Sequence, residues 1–181
     1  MTALFVLVFY GADWLTAQRT WRVPVAIPWE LSLPFCPWAV AVYMTVHPLM
    51  WAAPFALESA REVRVLCWSL AVVIVVAGIG FLLCPAQLAF PAPGSGQSAL
   101  FQFADWLNGD YNLVPSLHVA LAVTCVSAYA TRARLLWWTW AAAIAVSTLL
   151  THQHHVIDVV SGWLLGIAGG RLYRGMNQSQ L

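Results

Sequence analysis

The chain has 181 residues, 61% of them hydrophobic and only 8% charged, with a formal net charge of +1. A water-soluble domain carries roughly a quarter charged residues. That deficit, with a mean hydropathy of +0.75, excludes an ordinary soluble fold and points to an integral membrane protein, while the near-zero charge, carried by arginine without lysine, gives no sign of a nucleic-acid partner.

Six apolar segments follow in chain order. The first, TALFVLVFYGADWLTA (2–17), lacks a basic start, carries Asp13 and has no small-residue cleavage site, so it reads as a retained helix rather than a signal peptide. Residues 18–35, rich in Trp, Pro and Arg, read as a connection lying in the membrane interface. The second and third segments cover 36–57 and 63–84. Residues 85–115 are rich in Pro and Gly and too polar to span. The remaining segments are 116–131, 135–151 and 156–173, followed by a short tail at 174–181. Several lie at the short end of the roughly 17–25 residues that a span requires. The expected fold is one all-α, polytopic membrane bundle of six transmembrane helices over residues 1–181, with no internal repeat.

Arginine placement orients this bundle. With both termini cytoplasmic, Arg61, Arg64, Arg132, Arg134, Arg171 and Arg174 fall at inner ends, and only Arg19 and Arg22 fall outside. Trp137, Trp138 and Trp140 follow Arg132 and Arg134 as an interfacial aromatic belt would. The long connections 18–35 and 85–115 then both face outward, and connections of that length are usually functional. Cys36, Cys67, Cys84 and Cys125 fit no zinc or redox spacing; Cys36 and Cys84 fall on one side, where a disulfide is conceivable.

Three of the five histidines lie within STLLTHQHHVIDVVSG (147–162). His154 and Asp158 are four apart and share a helix face. A carboxylate beside an imidazole fixes its tautomer and favours its charged form, which suits a nucleophile or base. His155, three before Asp158, can share that face as well. Helix parity brings His118, at the start of the fourth segment, to the same outer side as a second proton-transfer group. A metal bound by His152, His154 and His155 is the competing reading, opposed by their divergent directions on a helix. His47 reads as a structural hydrogen bonder, and Asp105, Asp110 and Glu30 as outer-side residues that shape the entrance or accept hydrogen bonds from Arg19 or Arg22, with a lipid headgroup contact a further reading for Glu30. Asn112 or Ser116 reads as the cap of the fourth helix.

PSLH (115–118) resembles the P-S-G-H motif of the type 2 phosphatidic acid phosphatase superfamily, and Ser147, His154 and Asp158 match the spacing of its later S-R-x5-H-x3-D motif. YNLVPSLHVA and STLLTHQHHVIDVVSG are similar to the branch holding bacterial lipid phosphatases and the inositol phosphorylceramide and sphingomyelin synthases. The resemblance implies that His154 attacks phosphorus to form a phosphohistidine, that Asp158 orients and charge-supports it, and that His118 protonates the leaving oxygen and then activates the acceptor. It implies phosphate contacts from Ser116 and Ser147, with Thr148 at the position where the family has Arg, and no metal or other cofactor.

The family's K-x6-R-P motif is not matched: its best candidate ends at Pro93, with Ala92 at the Arg place and Pro85 at the Lys place. The family's three phosphate-holding cations are therefore missing, although charge compensation dominates phosphoryl transfer. At least one of Arg19 and Arg22 is the expected replacement, the alternative being that both contact lipid headgroups, with His152 behind them. The expectation is a lipid phosphatase at the outer face of a bacterial inner membrane, acting on phosphatidic acid, phosphatidylglycerol phosphate or a polyprenyl diphosphate. The alternatives are a headgroup phosphotransferase and a non-catalytic lipid-binding protein on the same scaffold.

Overall fold

The computed structural model describes residues 2–94, 96–129 and 133–178. Arg132, assigned above to the inner side, and the last residues of the tail lie outside them. The described residues form helices and loops with no β-strand; a lone parallel bridge joins Val23 to Ala86.

The apolar segments become helix α1 (Thr2–Ala17), the short helices α2 (Val40–Tyr43), α3 (Val46–Trp51) and α4 (Ala53–Ala56), then α5 (Ala60–Leu83), α6 (Ala99–Leu107), α7 (Leu117–Ala128), α8 (Arg134–Leu150) and α9 (Val156–Gln178). Helix α5 starts before its apolar run because Ser59 and Glu62 form a capping box, the Glu62 N–H donating to Ser59 Oγ (3.2 Å) and the Ser59 N–H to Glu62 Oε2 (3.2 Å). At 1.5 Å per residue it is about 36 Å long, enough to cross a bilayer core of about 30 Å.

Two helices, α5 and α9, are long and apolar enough to cross a membrane; α1, α7 and α8 are shorter apolar helices. The second expected span is not one helix. Pro48 cannot donate to the Met44 carbonyl, which instead takes the His47 N–H (3.3 Å) and His47 Nδ1 (3.2 Å), and Pro54 interrupts the ladder again. Residues 40–56 therefore advance as three short helices linked by αR residues. His47 has the structural role expected of it.

Helix α7 is central, with Val119, Ala120, Ala122, Val123 and Cys125 fully buried. It packs most closely on α9, where glycines remove the side chains that would hold the helices apart. A Cβ on Gly162 would lie 2.4 Å from the Ser116 carbonyl oxygen, and one on Gly166 would lie 2.8 Å from that of Ala120. Because the obstacle at Gly162 is backbone, Gly162→Ala is expected to lower stability by about 1–3 kcal/mol, seen as a lower melting temperature in detergent; an unchanged transition would show that α7 and α9 are not in contact there. Outward, α5 presents Trp68, Val72, Val75, Val76, Ile79 and Leu83.

One end of the bundle gathers the start of α7, the end of α8 and the start of α9, under the loops 18–35 and 85–115. The other end carries Arg61, which donates to Asn177 O (3.2 Å), and Arg174, which donates to Ser127 O (3.4 Å). The four cysteines are free, so Cys36 and Cys84 are not bonded.

Candidate active site

The turn between α8 and α9 is built by Thr148 and His152. The Thr148 carbonyl accepts from the N–H groups of Gln153 (3.0 Å) and His154 (3.2 Å). His152 takes the left-handed conformation (φ 56°) that ends the helix. Its ring stacks on Phe90 (centroids 4.0 Å apart) and donates from Nε2 to Leu33 O (3.1 Å). His154 and Asp158, on opposite sides of the α9 start, are thereby fixed against each other, and both are buried.

His154 Nδ1 lies 3.4 Å from Asp158 Oδ2, a long contact. The same oxygen accepts the His155 N–H at 2.7 Å, while Asp158 Oδ1 is buried with no partner. Because a carboxylate only accepts, Nδ1 of His154 carries the proton and Nε2 is left to act. The ring of His118, in the first turn of α7, stands 6.2 Å from that of His154 between centroids, tilted by 59°. The two rings line a small cavity of about 10 Å³, shared with Asn112, Leu117 and Gln153. That is room for about one water. The backbone joins the two elements as well, the Ser116 N–H donating to Asp158 O (2.9 Å).

Ser116 stands at the N-cap position of α7 but makes no capping bond, and its hydroxyl is buried without a partner. Asn112 does not cap α7 either; its Nδ2 donates to Phe9 O (2.7 Å). Ser147 and Thr148 turn inward, donating to Ile144 O (2.7 Å) and Ala145 O (2.8 Å) of their own helix. In this conformation neither hydroxyl offers its proton to a phosphate, and the service Thr148 gives is through its carbonyl.

At this end Arg19 and Arg22 are held by backbone carbonyls and aromatic rings. Arg19 donates to Leu82 O at the C-terminal end of α5, where the helix dipole favours a cation, and lies over the Trp21 ring. Arg22 donates to Arg19 O (2.6 Å) and Trp21 O (2.9 Å) and stacks over Tyr111, 4.2 Å from the ring centroid. Among the described residues, the guanidinium hydrogen bonds of both go to backbone carbonyls.

From the sequence, Glu30 can shape the entrance, pair with Arg19 or Arg22 or meet a headgroup, and His155 is a rival nucleophile. The structure gives them to each other. Glu30 is fully buried; its Oε1 takes His155 Nδ1 (2.9 Å) and the Ile27 N–H (2.7 Å), and its Oε2 takes the Val156 N–H (2.7 Å). Ala89 donates its N–H to His155 Nε2 (3.1 Å), so both ring nitrogens are occupied. The pair ties both outer loops to the start of α9. His152, His154 and His155 thus turn to three different partners instead of converging, and His152 is bound to a carbonyl rather than poised for phosphate. Asp105 accepts from Gln153 (3.0 Å), not from Arg19 or Arg22.

The family description that matches the chain is the PAP2 superfamily, over residues 32–172, which includes His118, His154 and Asp158. No curated protein and no solved structure matches. With most of its length matched and the motif residues gathered at one end of an all-helical bundle, the chain belongs to the PAP2 superfamily.

Proposed function

We propose that this protein is an integral membrane enzyme that hydrolyses a lipid phosphomonoester or diphosphate through a phosphohistidine on His154. The observation that carries the reading is the pairing of His154 with Asp158 (3.4 Å), with a second histidine ring 6.2 Å away across a shared cavity. Nε2 of His154 attacks phosphorus as the ester P–O bond breaks, and His118 gives its proton to the departing oxygen. Water, deprotonated by His118, then attacks the phosphohistidine and regenerates both groups. The free Ser116 hydroxyl and the first N–H groups of α7, at the positive end of its dipole, receive phosphate oxygens. The cavity is smaller than a phosphate, so the groups that line it must move apart to admit one.

The apolar exterior of α5 and the length of α5 and α9 support a membrane setting. The arginines at the end opposite the histidines support a cytoplasmic placement of that end, with the site on the outer face. Bilayer lipids carrying phosphate, such as phosphatidic acid, phosphatidylglycerol phosphate or polyprenyl diphosphates, are the substrates this placement favours.

A second reading has its own support. With both outer arginines bound to carbonyls and no Arg at position 148, a singly charged phosphodiester costs less to hold than a doubly charged monoester. That favours transfer of a phosphoryl headgroup to a second lipid alcohol. Purified protein is to be given a panel of lipid phosphates, with and without an added lipid alcohol. Hydrolysis predicts free phosphate that disappears in His118→Ala and His154→Ala; transfer predicts a new phospholipid dependent on both histidines. Silence across the panel would leave a non-catalytic lipid-binding protein. An Arg19→Ala/Arg22→Ala double variant with unchanged KM would remove the two arginines from the phosphate site.

A further inference from the structure

We propose that Asp105, Gln153, Asn108 and Tyr43 form a hydrogen-bond relay that holds His118 in one tautomer and one orientation, making them positioning residues for its proton transfer. The inference rests on the reading of His118 as the group that protonates the leaving oxygen.

Four contacts run in series. Gln153 Nε2 donates to Asp105 Oδ1 (3.0 Å), and Asn108 Nδ2 donates to Gln153 Oε1 (2.6 Å). Tyr43 Oη donates to Asn108 Oδ1 (2.6 Å) and lies 3.2 Å from His118 Nδ1. The direction of every bond follows from its outer end. Asp105 is a carboxylate and can only accept, so Gln153 must turn its NH2 toward it and its oxygen toward Asn108. Asn108 must then present its NH2 to Gln153 and its oxygen to Tyr43, which uses its single proton on that oxygen. What remains on the tyrosine is a lone pair, so His118 Nδ1 is the donor and Nε2 is the nitrogen free to exchange a proton. Amide orientations are otherwise ambiguous, and here one carboxylate settles two amides, a phenol and an imidazole.

The chain also gives the long outer connection a purpose. Asp105 lies in the last turn of α6 and Asn108 is the residue that caps it, and both reach Gln153 of the α8–α9 turn. Tyr43 arrives from α2 and is fully buried, its ring stacked on His118 with centroids 4.3 Å apart. Asp105 itself is exposed, so its charge is screened and its contribution is directional. His154 thus has a carboxylate of its own, Asp158, while His118 is served by a distant one through three neutral side chains.

The test compares two leaving groups. Phosphatidic acid in detergent micelles releases an alcohol that must be protonated; p-nitrophenyl phosphate releases a phenolate that need not be. Tyr43→Phe keeps the stacked ring and deletes the link. Its kcat on phosphatidic acid is expected to fall about 10- to 100-fold with KM within about twofold, and its single-turnover release of p-nitrophenolate, which precedes the water step that also uses His118, to hold its rate. Asp105→Ala should act in the same direction, Asp105→Asn should restore most of the rate because its amide oxygen accepts, and Tyr43→Phe/Asp105→Ala should be no slower than Tyr43→Phe alone. An equal loss in phosphatidic acid turnover and in single-turnover p-nitrophenolate release, or additive losses in the double variant, would overturn the relay. If His118→Ala slows phosphatidic acid but Tyr43→Phe does not, the relay alone fails. If His118→Ala leaves phosphatidic acid turnover intact, the role of His118 fails with it.

Discussion

His154→Ala is expected to lower turnover of a lipid phosphate by at least about 10³-fold, the scale on which loss of an essential nucleophile is felt. The measurement is initial-rate release of phosphate, with melting temperature in detergent as the control for folding. The size of the effect follows from the division of labour at the start of α9. His154 is the member of the cluster whose ring meets Asp158 and the cavity facing His118. Neither neighbour can substitute, because His152 is stacked on Phe90 and bonded to Leu33 O, and His155 has both ring nitrogens engaged. Asp158→Asn should fall less far: the side chain can still accept from the His155 N–H, but the charge that supports a cationic imidazole is gone. A His154→Ala protein with wild-type turnover would transfer the nucleophile elsewhere.

Glu30→Ala is expected to have the largest effect on stability, a loss of about 3–5 kcal/mol, because three donors lose their acceptor at about 1–3 kcal/mol each for a buried group. For a chain of this length that corresponds to a melting temperature lower by on the order of 10 °C. The alanine orphans three donors at once: the N–H groups of Ile27 and Val156, and Nδ1 of His155. The His155 contact is buried and the two N–H bonds are part-buried, in the seam between the first outer loop and α9, where an unsatisfied polar group is costly. Glu30→Gln should lie between, because an amide supplies one acceptor where two oxygens now serve. An unfolding transition of Glu30→Ala that matches wild type would show that the seam is wet and the pair expendable.

The parts of the site that could be read from sequence are those with local or parity-fixed geometry. His154 and Asp158 are a turn apart on one helix, so their proximity needs no knowledge of the fold. His118 follows from counting helices, since the starts of the fourth and sixth segments must share an end. The helical class follows from composition. What could not be read depends on partners far away in the chain. Glu30 is 125 residues from His155, and Tyr43 is 75 from His118; no spacing rule links them, and Asn108 and Gln153 look like ordinary loop residues. Ser147 matches the motif and Thr148 stands in its Arg place, yet a hydroxyl on a helix has a carbonyl of its own turn within reach, and both take it. Arg19 was drawn to the carbonyl end of α5 for the same kind of reason. The second span failed as a single helix because hydropathy counts Pro48 and Pro54 as neutral residues, while the backbone counts them as missing donors.

The central claim is that the phosphorus passes through His154. It is tested most directly by rapid quenching with a ³²P-labelled lipid phosphate, or with labelled p-nitrophenyl phosphate for variants that transfer slowly, and mapping any acid-labile, alkali-stable label to a residue. The account predicts label on His154, absent from His154→Ala and still formed in His118→Ala when the leaving group needs no proton. Label on His118 or His155, or steady release of phosphate with no labelled protein at any time, would contradict it.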